Sequence, residues 1–226
     1  MPRHRLLLAP LALAIMLVGL PISRVHAETL DTLVISVYNE PYFTGDAHHY
    51  MDNRTPNGWY SADYQDTIKW GYQTNTLPIL SNDWRGFTTF SVPPFKCSSS
   101  LPVCTLHYYV SGCWQYQSDS ILVDRFTPSY WAWAPESLFK AIDTSTASLA
   151  KDASPTDTGW RKVALTTQGC GIIGSVGARA DSLDEYLNLF TGWEYLHPPQ
   201  NGWNTEVTGP VTGVSPYIVV IYSPDP

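Results

Sequence analysis

Four histidines follow residue 27, and histidine is the side chain best suited to act as a base or bind a metal ion near neutral pH. His48 and His49 are adjacent in a segment that predicts a β-strand, so their side chains should point to opposite faces and not share one metal ion. His107 lies in another predicted strand beside two tyrosines, which favours a packed histidine. His197 precedes two prolines in a predicted loop. This pattern predicts no histidine-based catalytic site.

A glycine-rich stretch from Gly169 to Gly174 matches G-x-G-x-x-G, the pattern of dinucleotide-binding turns. Such a turn works inside a βαβ unit, which a β-rich chain does not provide. We therefore interpret the stretch as a glycine-rich turn that contains Cys170. The spacing of Gly174, Ser175 and Gly177 is one residue short of the G-x-S-x-G pattern of α/β-hydrolases. The sequence predicts no catalytic residues and no resident metal.

Carboxylate pairs for glycoside hydrolysis are defined in space, so the sequence leaves a secreted hydrolase as an alternative function. The carboxylates that could form such a pair have no distinguishing context and otherwise suit a solvated surface or helix caps. They are Asp63, Asp66, Asp124, Glu136, Asp181, Asp184 and Glu185.

The first 27 residues have the three parts of a secretory signal peptide. A start with two arginines precedes an apolar run over residues 6–22, and Ala27 completes a small-residue cleavage pattern. The run is shorter than the about 20 residues that span a bilayer, and prolines interrupt it. We expect a secreted protein with no membrane span after cleavage.

The residues beyond the leader are strongly acidic. The leader holds three of the 13 Lys and Arg residues and none of the 20 Asp and Glu residues, so the other 199 residues carry a formal charge of −10. Nucleic acids and anionic membranes require a basic surface, and the charge argues against both as partners. A sequon at Asn53 predicts a glycoprotein if the host glycosylates exported chains.

All four cysteines lie beyond the leader: Cys97, Cys104, Cys113 and Cys170. An even number in an exported chain predicts two disulfide bonds. Three connectivities are possible, and we favour Cys97–Cys104 with Cys113–Cys170. A zinc site is the alternative, although the spacing does not resemble paired C-x-x-C knuckles.

Aromatic residues are abundant, with nine tryptophans and 14 tyrosines. Most should pack in the core, but tryptophans in glycine-containing loops can stack on sugar rings or contact a partner protein. Trp59 and Trp203 lie in such predicted loops. Trp131 and Trp133 should point to the same side of an extended segment. We therefore predict these four residues as ligand-binding positions.

Short β-branched and aromatic runs separated by proline and glycine predict a mainly β fold, an antiparallel Greek-key sandwich with two short helices in the C-terminal half. The segments 33–37 and 217–222 are the clearest strands. Residues 135–143 and 182–190 have helical spacing, the second with a capping box at Ser182.

Residues 34–45 resemble the opening Greek-key motif of the βγ-crystallin superfamily. Tyr38, Glu40, Phe43 and Gly45 occupy the aromatic, acidic, aromatic and glycine positions of that motif. The resemblance implies that Tyr38 packs on Phe43 and that Gly45 has a positive φ. It also implies a turn at Asn82-Asp83, where a degenerate calcium site of the family type would lie.

These observations divide the chain into a signal peptide (1–27), a crystallin-like region (28–95) and a disulfide-linked β-rich region (96–226) that can continue the same domain. They favour a secreted, non-enzymatic protein, toxin- or effector-like, that binds an extracellular glycan or protein surface. Besides the hydrolase, a protease inhibitor is an alternative, with residues 96–104 as a stapled bait loop.

Overall fold

The computed structural model describes residues 29–38, 43–52, 58–64, 67–76, 79–98, 101–114, 120–126, 134–143, 147–153, 156–179, 187–195, 203–208 and 214–225. Its elements in chain order are β1 (Asp31–Ser36), β2 (Thr44–Asp52), β3 (Trp59–Tyr64), β4 (Thr67–Thr76), β5 (Ile79–Val92), β6 (Val103–Trp114), β7 (Ser120–Arg125), α1 (Pro135–Asp143), β8 (Ala147–Ala153), β9 (Gly159–Ala164), α2 (Thr167–Arg179), β10 (Leu187–Tyr195), β11 (Trp203–Thr208) and β12 (Tyr217–Tyr222). No helix within these ranges is long and apolar enough to cross a membrane.

The strands form antiparallel pairs in the order β1-β12-β6-β11-β4-β5-β10-β7-β8. Strand β2 pairs with both β3 and β5, and β9 pairs with β6. One hydrophobic cluster takes residues from both ends of this order, including Ile35 from β1 and Val123 from β7. The described part of the chain is therefore mainly β and sandwich-like with two helices, as the sequence predicts.

Alternating side chains explain how β1 and β12 contribute to this core. Ile35 of β1 is opposite Ile218 of β12, and both side chains are buried. Val220, two residues further along β12, is buried as well, whereas the next residue, Ile221, is exposed. A period of two places one face of each strand in the core.

Helix α1 is confirmed over the predicted residues. Its apolar stripe, Leu138, Phe139 and Ile142, is buried against the second hydrophobic cluster, which also contains Ala47 and Phe87. The spacing of three and four residues between these positions is the signal by which the sequence predicts the helix.

The second helix lies elsewhere than predicted. Residues 187–190 of the predicted helix belong to strand β10, and residues 181–186 lie outside the described ranges. Helix α2 instead contains the stretch that we interpret from sequence as a glycine-rich turn. The Thr166 hydroxyl accepts a hydrogen bond from the Gly169 N–H at 2.9 Å, and Ile173 and Val176 face the core. Capping and tertiary packing outweigh the low helical propensity of the glycines.

The crystallin-like segment has the local geometry that the resemblance implies. The rings of Tyr38 and Phe43 meet edge to face with centroids 4.9 Å apart, and Gly45 has φ = +153°. The predicted turn at Asn82-Asp83 is wrong, because both residues lie inside the 14-residue strand β5. The family assignment itself stays a prediction.

Candidate functional site

Strands β2 and β3 form a hairpin whose two faces have different chemistry. On the first face Asp46 is opposite Asp63 and Tyr50 is opposite Trp59, with His48 between Asp46 and Tyr50 along β2. The second face lies beneath α1. Because successive strand residues point to opposite faces, one short hairpin contributes to a polar cluster and to an aromatic core.

Helix α1 is fixed against the second face of the hairpin by aromatic contacts. The Phe139 ring lies 5.7 Å from the His49 ring and 5.5 Å from the Tyr60 ring. His49 and Tyr60 also stack on each other at 4.3 Å. Pro135 occupies the first helical position, where no backbone N–H is needed. These contacts place the first turns of α1 beside the start of β3.

An open groove of about 750 Å³ lies between the start of β3 and the first turns of α1. We call it the Trp59 groove. Trp59 and Tyr60 contribute aromatic surface to its lining, and Glu136 and Lys140 contribute charged groups. Pockets that bind small ligands have volumes of about 300–1,000 Å³, so the Trp59 groove can hold a small molecule or part of a larger one.

Trp59 is oriented by packing and remains accessible. Its ring stacks on the Tyr50 ring with centroids 5.0 Å apart and planes 14° apart, while 45% of the residue is exposed. An aromatic ring held in one orientation loses little conformational entropy when it binds a ligand. Trp59 can therefore serve as a preorganised stacking surface.

The charged side of the Trp59 groove is an ion pair between Glu136 and Lys140, one helical turn apart. The hydrogen bond to Glu136 raises the pKa of Lys140, so the ammonium group stays protonated. The Lys140 Nζ atom lies 5.9 Å from the centre of the Tyr60 ring. The groove thus combines aromatic surface with hydrogen-bond donors and acceptors.

The first face of the hairpin carries a polar group that we call the Asp46–His48–Asp63 cluster. The His48 Nε2 atom lies 3.1 Å from Asp46 Oδ2 and 3.2 Å from Asp63 Oδ2. One donor atom from each residue lies within 4.8 Å of the other two, a spacing that could hold a metal ion. Asp46 is fully buried, His48 has 6% of its side chain exposed and Asp63 has 57% exposed.

Tyr50 connects this cluster to the Trp59 groove. Its hydroxyl lies 3.2 Å from His48 Nδ1, and its ring stacks on Trp59. Burial raises the pKa of Tyr50, and the negative charges of Asp63 and Asp46 raise it further. The phenol is therefore protonated at physiological pH.

The predicted ligand-binding tryptophans have different outcomes. Trp59 lies at the groove and is exposed, although it begins strand β3 and not a loop. The prediction of a loop at Trp203 is wrong, because this residue begins strand β11. Trp131, Trp133 and the sequon residue Asn53 lie outside the described ranges.

Sequence reasoning missed Asp46 as a partner of His48. The residues i and i+2 of a strand share a face, so the Asp-x-His spacing was a usable signal. Asp63 could not be placed, because its position depends on the register of β2 and β3. Trp160 was also missed; it is 51% exposed and packs edge to face on Tyr109 at 5.7 Å.

The described carboxylates do not form a pair across the Trp59 groove. Asp63 and Asp46 are neighbours on one sheet face with His48 between them. Asp124 is buried, and Glu136 pairs with Lys140. Asp66, Asp181, Asp184 and Glu185 lie outside the described ranges.

The cysteine arrangement differs from the favoured pairing. All four cysteines are unbonded, and the Cys104 thiol forms a hydrogen bond with Cys170. Burial raises the pKa of Cys104, and the neighbouring Cys170 and Cys97 raise it further. Cys113 lies nine residues from Cys104 on β6, which corresponds to about 30 Å along an extended strand. A Cys113–Cys170 bond therefore does not fit this arrangement.

No protein-family model matches the chain, and no curated protein matches it in sequence.

Proposed function

We propose that this chain is an exported, non-enzymatic protein that binds a glycan in the Trp59 groove. The observation that carries the proposal is a half-exposed indole, backed by a stacked tyrosine, beside an ion pair at the edge of an open groove. Sugar rings present apolar C–H faces that stack on aromatic rings, and their hydroxyls form hydrogen bonds with charged groups. The Trp59 groove offers both kinds of contact.

A protein partner fits the Trp59 groove less well. Stable protein interfaces bury about 800 Å² on each partner, which is more than this groove alone provides. A glycan of one or a few sugar units matches its volume better. A binding experiment distinguishes a glycan from a protein partner.

The proposal predicts that Trp59→Ala weakens glycan binding about 30-fold, since truncation of a central aromatic contact costs about 2 kcal/mol or more. The measurement is a glycan-array screen of the chain without residues 1–27, followed by titration of the best ligand. Trp160→Ala is the matched control, because Trp160 is similarly exposed and lies on a different strand.

Three outcomes would contradict this assignment. An array without a reproducible ligand would overturn glycan binding. If Trp160→Ala loses glycan binding and Trp59→Ala binds the glycan like wild type, the site lies on the β9 surface instead. Capture of a protein that Trp59→Ala abolishes, without any glycan binding, would replace the glycan with a protein partner.

Export, disulfide formation and glycosylation belong to the same proposal. The leader directs secretion, Asn53 accepts a glycan where the host supplies the pathway, and an oxidising compartment allows disulfides to form. N-terminal sequencing of the secreted chain should begin near Glu28.

We predict that the oxidised protein contains a Cys104–Cys170 bond, because these two thiols are interacting neighbours. Two thiols form this bond when a disulfide of an oxidoreductase accepts their two electrons and two protons. Peptide mapping without reduction should recover a peptide from β6 linked to one from α2. A Cys113–Cys170 or Cys97–Cys104 peptide would contradict the prediction.

A further inference from the structure

Two carboxylates of the Asp46–His48–Asp63 cluster occupy directly opposed positions. Asp46 and Asp63 are cross-strand partners in the β2–β3 ladder. Like charges at opposed positions of an antiparallel pair destabilise a sheet. Asp46 is fully buried, so water cannot screen its charge on every side. Positive charge between the two carboxylates would therefore stabilise the arrangement.

His48 supplies a nitrogen within ion-pair distance of both carboxylates. Its Nε2 atom is buried and makes no hydrogen bond among the described residues, although carboxylate oxygens lie at 3.1 and 3.2 Å. The Nε2 atom thus lies beside both carboxylate oxygens without a hydrogen bond to either.

The distances from His48 Nε2 to the two carboxylate oxygens match the distances between neighbouring ligand atoms around one small cation. Zinc binds imidazole nitrogen and carboxylate oxygen at about 2.0–2.2 Å, which places adjacent donors about 3.0–3.5 Å apart in tetrahedral or octahedral geometry. The two measured nitrogen–oxygen distances, 3.1 and 3.2 Å, lie in this range.

Tyr50 contacts the other ring nitrogen of His48, Nδ1. When Nε2 binds a metal ion, Nδ1 carries the ring proton. The Nδ1–H group then donates a hydrogen bond to the Tyr50 hydroxyl oxygen 3.2 Å away. Metal-binding histidines usually donate their second N–H to such an acceptor, which fixes the ring orientation. His48 therefore has both an orienting partner and a buried nitrogen with no hydrogen bond.

We propose that Asp46, His48 and Asp63 bind one divalent first-row transition ion, with Zn²⁺ as the best fit. An imidazole donor favours zinc and related ions over Ca²⁺ and Mg²⁺, which prefer oxygen donors only. Because more than half of the Asp63 side chain is exposed, water can occupy the remaining coordination positions on that side. This site does not depend on glycan binding in the Trp59 groove.

The test uses the untagged chain without residues 1–27, freed of metal by dialysis against a chelator. Isothermal titration with Zn²⁺ should show one saturable site per chain, and thermal unfolding should shift upward when Zn²⁺ is added. Asp63→Ala should weaken Zn²⁺ binding about 100-fold or more, since loss of an outer partner alone typically costs 10–100-fold. Tyr50→Phe should weaken it about tenfold.

His48→Gln and His49→Gln form a matched pair of adjacent substitutions on opposite faces of β2. The first should abolish Zn²⁺ binding, and the second should leave it unchanged. Asp63 is exposed, so Asp63→Ala keeps the test valid even if a His48 variant does not fold. Absence of saturable binding to the wild-type chain would overturn the proposal. Equal affinities of wild type and Asp63→Ala would overturn it too.

Discussion

Trp193→Ala should destabilise the protein by about 3–5 kcal/mol, the range for truncation of a buried aromatic residue. Trp193 is fully buried in β10, where its ring lies 5.4 Å from Trp70 and 5.3 Å from Tyr108. Truncation removes these contacts and leaves a cavity that rigid strands on both sides cannot fill. Proteins have total stabilities of about 5–15 kcal/mol, so this one change should remove a large fraction.

Urea unfolding followed by circular dichroism measures the loss. Trp160→Ala is the control, since Trp160 is half-exposed and should lose under about 1 kcal/mol. Trp193→Phe should cost less than Trp193→Ala, because it keeps a ring and also removes the buried indole N–H that has no hydrogen bond among the described residues. Similar losses at Trp193 and Trp160 would show that the three-ring contact does not support the core.

Gly45→Ala should also be strongly destabilising, by about 3–5 kcal/mol, because two separate costs act at one residue. Its φ of +153° is rarely adopted by residues with a side chain. A Cβ atom at this position would lie 2.0 Å from the backbone oxygen of Asp63, so strand β3 would have to move. Chemical denaturation gives the stability change.

Two other glycines separate these costs. Gly159 has φ = +133° with nothing within 4 Å of its Cβ position, so Gly159→Ala should show the backbone cost alone. Gly171 lies in α2 with open space around it, and Gly171→Ala should stabilise by about 0.5–1 kcal/mol. If Gly45→Ala matches Gly159→Ala, the predicted clash with Asp63 is wrong.

Features set by local sequence could be predicted. Helix α1 follows from Leu138, Phe139 and Ile142 at helical spacing, and β12 follows from its β-branched run. The Tyr38–Phe43 contact and the positive φ of Gly45 follow from a motif only 12 residues long. In each case the residues that determine the geometry are close in sequence.

Features set by packing between distant segments could not be predicted. Helix α2 forms although Gly169, Gly171, Gly174 and Gly177 all lower its intrinsic propensity, because a buried stripe that includes Ile173 packs it on the core. The contact between Cys104 and Cys170 likewise depends on where α2 docks.

The candidate site shows the same division. Trp59 could be predicted from its position in a polar, glycine-containing stretch and its expected exposure. The Asp46–His48–Asp63 cluster could not, because a shift of one residue in the β2–β3 register would turn Asp63 to the opposite face.

The pairing of β1 with β12 has a mechanical consequence. Asp31 and Tyr222 are opposed at one end of a ladder of six residue pairs, and the strands run antiparallel. Force applied between these two residues acts across the ladder and opens it one pair at a time, like a zipper. Such a ladder yields at much lower force than one loaded along its strands, where all the hydrogen bonds must break together. Strand β1 would therefore detach first, exposing Ile35 and the edge of β12 before the rest of the sandwich carries any load.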